Sequence, residues 1–241
     1  MGSAVGTPHP GVAVTATMQL FTVHGPAIVG AVARMGIDRV HLRRTPGLRF
    51  WKLLGTGDGR TFTVRDADPG TWGLFCVWDG PDASAAFRHS SPTMRGWNRL
   101  ADEAWTAELR PLRWKGTWSG RVPFEGATPG VDDGGPVAAL TRARIRPGRW
   151  REFWAAVPPV AAAAGVAPGR RFAVGIGEAP IGLQATFSVW DTTSSLDTFA
   201  YGTAAHREVI RRTASSQWYS EEMFARFSVV ATSGTVGGVV V

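Results

Sequence analysis

Of the residues in this chain that could do chemistry, His206 is the best placed. Leu196, Phe199, Thr203, His206 and Ile210 recur at steps of three and four, so a helix through them carries one inward stripe with a histidine in it. Imidazole titrates near neutrality and binds metals through a ring nitrogen. The alternative is a buried ring hydrogen-bonded to a carbonyl, and the stripe alone leaves both readings open. The other histidines are weaker candidates: His9 lies in a Gly- and Pro-rich opening, and His24, His41 and His89 show no metal-type spacing. The single cysteine, Cys76, sits in an apolar run where a small buried residue is expected. It excludes an intramolecular disulfide and any cysteine-based zinc or iron–sulfur centre. Gly55-Thr56-Gly57-Asp58-Gly59 lacks the helix and partner acid of a dinucleotide loop.

The elements that must position His206 come from an internal duplication. Leu74-Phe75-Cys76-Val77-Trp78-Asp79 is echoed by Thr186-Phe187-Ser188-Val189-Trp190-Asp191, Gly47-Leu48-Arg49-Phe50 by Gly169-Arg170-Arg171-Phe172, and Trp105 by Trp218. Each copy reads strand, helix, strand, strand, helix, strand. The first helix of copy one is expected from Pro26 to about Gly36, and that of copy two opens at Pro147 with the stripe Trp150, Phe153, Trp154 and Val157. The order predicts an α+β fold of two tandem ferredoxin-like (βαββαβ) units, packed as a pseudo-dimeric α/β barrel. The expected division is a disordered lead-in over 1–17, repeats over 18–118 and 137–232, a linker over 119–136 and a tail over 233–241.

The copies differ where chemistry would sit. By the offset that relates Val77 to Val189, the counterpart of His206 is Met94, so the scaffold does not itself require histidine there. On the strand expected to face that helix, Trp51 and Leu53 of copy one become Ala173 and Gly175. So much lost volume leaves a cavity costing about 2–5 kcal/mol per large side chain unless something fills it. A flat macrocycle would fill it; a glycine bulge or a different sheet twist would remove it.

Composition narrows the class. At 241 residues, 44% hydrophobic and 19% charged, the chain can bury a core without disulfides. The net charge of +7 comes mainly from scattered arginines, with Lys52 and Lys115 the two lysines, and no basic block interleaves with aromatics. No nucleic-acid partner is therefore expected. Ala155 to Ala167 is too short and too proline-interrupted to span a bilayer, so no transmembrane segment is expected, and the single cysteine makes a reducing, cytoplasmic location the expectation.

Three separated motifs then carry a family resemblance: Arg44-Thr45-Pro46-Gly47-Leu48-Arg49-Phe50-Trp51-Lys52-Leu53-Leu54-Gly55, Gly175-Ile176-Gly177-Glu178-Ala179-Pro180, and the run from His206 through Trp218-Tyr219 to Phe224-Ala225-Arg226-Phe227. From about Met18 to Val230 the chain resembles the spheroidene monooxygenase family, whose members are haem-dependent oxygenases acting on carotenoids. It is also similar to the wider group of ferredoxin-like haem proteins, including chlorite dismutases, dye-decolorising peroxidases and aldoxime dehydratases. The resemblance implies haem b, with His206 as the iron ligand and Ala173 and Gly175 making room for the ring. Arg207 and Arg211 are then candidates for the propionates, or plain surface arginines. Lys52 and Arg49 are candidates for a distal cation, on opposite faces of one strand, so at most one can serve a given pocket. A small-molecule substrate and a separate electron-donor protein would complete the system, and a homodimer of the whole chain is compatible with it. Haem chemistry without O2 on an N–O or other nitrogen-containing substrate, and a non-enzymatic haem carrier or sensor, are the rival readings.

Overall fold

A computed structural model describes residues 13–57, 66–146, 148–149, 152, 165–178, 183–202 and 218–241. Among the described residues there are eight strands, all paired antiparallel, with helices between some of them. The strands are β1 (Thr15–Thr22), β2 (Leu48–Gly57), β3 (Ala67–Trp78), β4 (Glu103–Gly116), β5 (Val137–Ile145), β6 (Arg170–Gly177), β7 (Leu183–Trp190) and β8 (Tyr219–Gly234). The helices among the described residues are α1 (Ala27–Arg43), α2 (Pro81–Ser90), α3 (Pro92–Leu100) and α4 (Thr193–Gly202).

The strands close into a barrel in the order β1-β3-β2-β6-β7-β5-β8-β4. Within it β4-β1-β3-β2 and β8-β5-β7-β6 follow the same order, so the duplication seen in sequence is also a duplication of strand arrangement. One seam between the halves is long, from Trp105 opposite Gly234 to Gly116 opposite Met223. The other pairs only Gly55, Thr56 and Gly57 with Gly177, Ile176 and Gly175. The barrel is thus closed by one long seam and one short one.

Alternation along each strand makes two layers. Inward residues such as Met18, Phe75, Trp105, Leu140, Phe187 and Phe227 fill the barrel. Trp118 and Phe124, from the segment after β4, complete the filling: Trp118 stacks on Phe75 at 5.6 Å, and Phe124 meets Phe227 edge-on at 5.6 Å. Outward residues of the first half, including Leu53, Leu74 and Cys76, are sealed by α1 through Ala31 and Leu42, by α2 through Phe87 and by α3 through Met94 and Trp97. Ser91 starts α3 by accepting the Met94 N–H on its hydroxyl at 3.0 Å, an N-cap that the following Pro92 reinforces. On the second half, Trp190 and Leu196 form a smaller cluster, with Phe199 of α4 stacked on Trp190 at 5.1 Å.

Several boundaries differ from expectation. Helix α1 continues past Gly36 to Arg43, because an exposed glycine costs a helix only about 1 kcal/mol and the chain is not turned until Thr45-Pro46. Strand β1 begins at Thr15, inside the expected lead-in. The 119–136 stretch joins the halves but also contributes the buried Phe124, and in the 233–241 tail Val236 and Val241 rest against the barrel core. Trp105 faces Leu20 as Met223 faces Arg142, so its positional counterpart is Met223 and not Trp218. The expected helix with Trp150, Phe153, Trp154 and Val157 lies outside the described residues. No described helix is long and apolar enough to cross a membrane.

Candidate functional site

A filled barrel interior turns attention to its outer faces, and there the halves diverge. Cys76 lies opposite Trp51 and Leu74 opposite Leu53; in the second half Ser188 lies opposite Ala173 and Thr186 opposite Gly175. Four large or apolar side chains are thus replaced by two without reach beyond Cβ and two small hydroxyl residues. On the neighbouring strands the buried Gln19 corresponds to Thr141, which is exposed, as is Ala173. In the first half this layer is closed: Leu53 and Met94 are each 6% exposed, and the Gln19 amide donates to the Met94 sulfur at 3.3 Å. The expected exchange of Trp51 and Leu53 for Ala173 and Gly175 is therefore a register match. Thr186, Ser188 and Thr141 belong to the same face and went unremarked in the sequence, although carrying the duplication onto β3 and β7 marks the first two. This face of the second half therefore carries smaller side chains than the same face of the first.

Helix α4 borders the small-residue face. Its Asp197 takes an ion pair from Arg226 of β8 at 2.5 Å, and its Leu196 is buried against Trp190. Thr193 at its start donates to Asp132 at 2.5 Å. These contacts hold α4 against the barrel; His206, Arg207 and Arg211, which follow it in the sequence, lie outside the described residues.

Inside the barrel, four strands aim charges at one end. Lys52 follows Phe50 and precedes Leu54 on the inward face of β2, as alternation requires, and its ammonium reaches Glu178 Oε2 at 2.5 Å and Ser119 Oγ at 2.5 Å. Arg142, 1% exposed, links Glu178 at 3.3 Å to Glu221, and the Trp118 indole donates to Glu178 Oε1 at 2.5 Å. Burial pushes the Glu178 carboxyl up, but the bonds from Lys52 and Trp118 and the charges of Lys52 and Arg142 outweigh it and hold the group below its ordinary range. For Glu221 the same opposition, with the Gly120 N–H at 2.6 Å and Arg142 prevailing over burial, gives a pKa of about 2. Lys52 thus has its carboxylate on the inward side of the sheet, away from Ala173 and Gly175. The signal for this cluster was Arg142, a charge on the same face as Ala138 and Leu140.

Arg49 behaves differently from its neighbours. Leu48 lies opposite Trp78 and Phe50 opposite Val77, so Arg49 is the extra residue of a β-bulge, outside the alternation that linked it to Trp51. It pairs with Asp79 at 3.4 Å and donates to the Glu125 carbonyl at 3.0 Å. Arg171 occupies the same bulge in β6 and pairs with Asp191 at 2.6 Å. The preceding glycines, Gly47 at φ 70° and Gly169 at φ 75°, each accept the following aspartate's N–H. In this left-handed conformation a side chain is strained, and at Gly47 a Cβ would also strike Ala83. The Gly-x-Arg-Phe and Val-Trp-Asp motifs are therefore two ends of one repeated clamp.

No family model matches the chain. It is 33% identical over 224 residues to the spheroidene monooxygenase of Rhodobacter capsulatus, covering 91% of this chain and 92% of the relative. The corresponding protein of Rubrivivax gelatinosus is 40% identical over 193 residues, 80% of this chain and 73% of the relative. The chain belongs to the spheroidene monooxygenase family. A third member, from Cereibacter sphaeroides, is 34% identical over 206 residues, and the match spans 84% of this chain but only 62% of that relative's length. Among solved structures, an aldoxime dehydratase superposes with a TM-score of 0.60 at 9% identity, over 90% of this chain and 82% of its own. A second, solved with butyraldoxime, gives 0.58 at 11% identity, over 90% and 79%. These two likenesses are of fold alone.

Proposed function

We propose that this spheroidene monooxygenase family member is a haem-dependent monooxygenase for an apolar, carotenoid-like substrate, built of two tandem ferredoxin-like units of which the second holds haem b. The observation that carries the reading is the paired one: relatives named spheroidene monooxygenase, and an outer face cleared of large side chains in one half only. His206 would hold the iron, and Arg207 and Arg211 the propionates. When bound, the haem would supply the site at which O2 is held and reduced, with electrons from a separate donor protein.

The chain's own residues have definable parts. Ala173 and Gly175 leave the ring its space, and Thr186 and Ser188 line that space with hydroxyls; Ser188 already accepts the Trp190 indole N–H at 2.9 Å. Asp197 and Leu196 anchor α4, which sets where the following segment begins. In this reading Lys52 and Arg49 serve the barrel, one in the interior charge cluster and the other in the bulge clamp, and neither is assigned to the distal side.

Reconstitution with haemin, followed by turnover of spheroidene with a chemical reductant under labelled O2, tests the proposal. The expected result is a Soret band and one labelled oxygen atom in the product. Absence of a Soret band refutes haem dependence; turnover of an aldoxime that persists without O2 favours the rival N–O chemistry.

A further inference from the structure

We infer that α1 carries a self-complementary face that pairs two copies of this chain in antiparallel fashion. Val29, Val32, Ala33, Gly36, Ile37 and Val40 form one continuous helical stripe that is exposed along its whole length. Val29 is 75% and Val32 55% exposed, Ile37 48% and Val40 50%. The opposite face, with Ala31, Asp38 and Leu42, is the one buried in the chain. A helix with a single packed face should present charges to water. This one presents valine and isoleucine.

The stripe reads the same in both directions by size: large, large, small, small, large, large. About a two-fold axis between Ala33 and Gly36, Val29 meets the partner's Val40, Val32 meets the partner's Ile37, and Ala33 meets the partner's Gly36. A two-fold interface must offer the same patch on both subunits, and a size palindrome does so. The two small residues at the centre let the helix axes approach closely. A Cβ added to Gly36 would meet nothing within 4 Å, so the space beside it opens outward from the chain.

Charge at the two ends fits the same direction. Arg43 and Arg44 continue the stripe at its C-terminal end and are exposed. At the N-terminal end stands Asp102, 61% exposed, bonded to His24 at 2.9 Å and through its N–H to the Thr22 carbonyl. Antiparallel pairing brings each arginine pair to the partner's Asp102, whereas parallel pairing sets arginine against arginine. A lipid surface is the competing occupant. Helices that lie on membranes present Trp, Phe or Leu, and this stripe has none.

The helix of 17 residues is about 25 Å long, so the contact falls short of the ~800 Å² per partner usual in stable dimers. A weak, concentration-dependent association is therefore expected. Sedimentation velocity over a wide concentration range should show a monomer–dimer equilibrium that the Val32→Glu/Ile37→Glu variant abolishes, with an unchanged circular dichroism spectrum. Because Cys76 is fully buried, introduced cysteines report cleanly. Oxidised Val29→Cys/Val40→Cys should form a covalent dimer, and each single variant should not. Within one chain those two positions are about 16 Å apart, too far to bridge. A wild-type chain that stays monomeric at every concentration, or cross-linking of either single variant, overturns the inference. So does binding of the monomer to anionic vesicles that the double glutamate variant loses.

Discussion

Replacing Arg142 with Met tests the charge cluster that ties the two halves together. Methionine roughly preserves volume and apolar contact, but Glu178 then keeps only Lys52 and Glu221 only the half-exposed Arg144 at 3.8 Å, so the negative charge of Glu221 is poorly compensated. Removing one partner of a buried ion pair costs about 3–5 kcal/mol, and Arg142, at 1% exposure, bridges both carboxylates. Acid supplies a second handle. Glu221 has a folded pKa of about 2 against an ordinary 4.5. A carboxyl depressed in this way adds its full stability above the unfolded pKa and loses it as pH falls toward the folded one. At ~1.36 kcal/mol per unit the wild type should lose about 3 kcal/mol between pH 4.5 and 2 through this group. In Arg142→Met the depression shrinks, so the curve flattens in that window and the two proteins converge as pH falls. Urea unfolding followed by tryptophan fluorescence, from neutral pH down into that window, reads both effects. A loss under about 1 kcal/mol at neutral pH, or a difference that does not change with pH, refutes the reasoning. Should the Met variant not fold, Arg142→Lys should show a smaller loss with the same convergence.

Three further outcomes are expected. His206→Ala should fold, since Met94 occupies the corresponding place in the first half, but should show no Soret band after reconstitution; haem titration of the parent should end at one per chain and not two. Ala173→Trp should leave the unfolding free energy within about 0.5 kcal/mol, because the position is exposed, while weakening haem binding at least tenfold in a spectroscopic titration; unchanged binding removes this face from the site. Lys52→Met should destabilise by more than 1 kcal/mol, whereas Arg49→Leu, whose partner Asp79 is 63% exposed, should cost about 0.2–1 kcal/mol; equal and negligible losses would place Lys52 outside any cluster.

Much of this protein is local in origin and so legible in its sequence. The period-2 pattern of Phe50, Lys52 and Leu54, the Val-Trp-Asp repeat and the paired glycines before Arg49 and Arg171 report residue-by-residue geometry, which depends on near neighbours. The duplication, the family and the exchange of Trp51 and Leu53 for Ala173 and Gly175 followed from these. Sequence alternation misjudged Arg49, because a bulge inserts one residue and its existence depends on the register of the strand opposite. Reading Trp105 against Trp218 failed for the same kind of reason: equal sequence spacing is not equal register when loops and bulges intervene. Tertiary structure alone decided that Lys52, Arg142, Glu178 and Glu221 meet, since barrel closure brings β2, β5, β6 and β8 to one end and no sequence separation encodes that. It also decided which face of each strand points into a filled interior and which is left outside. That choice, made by the closing of the sheet on itself, separates the charge cluster from the small-residue face proposed for the haem.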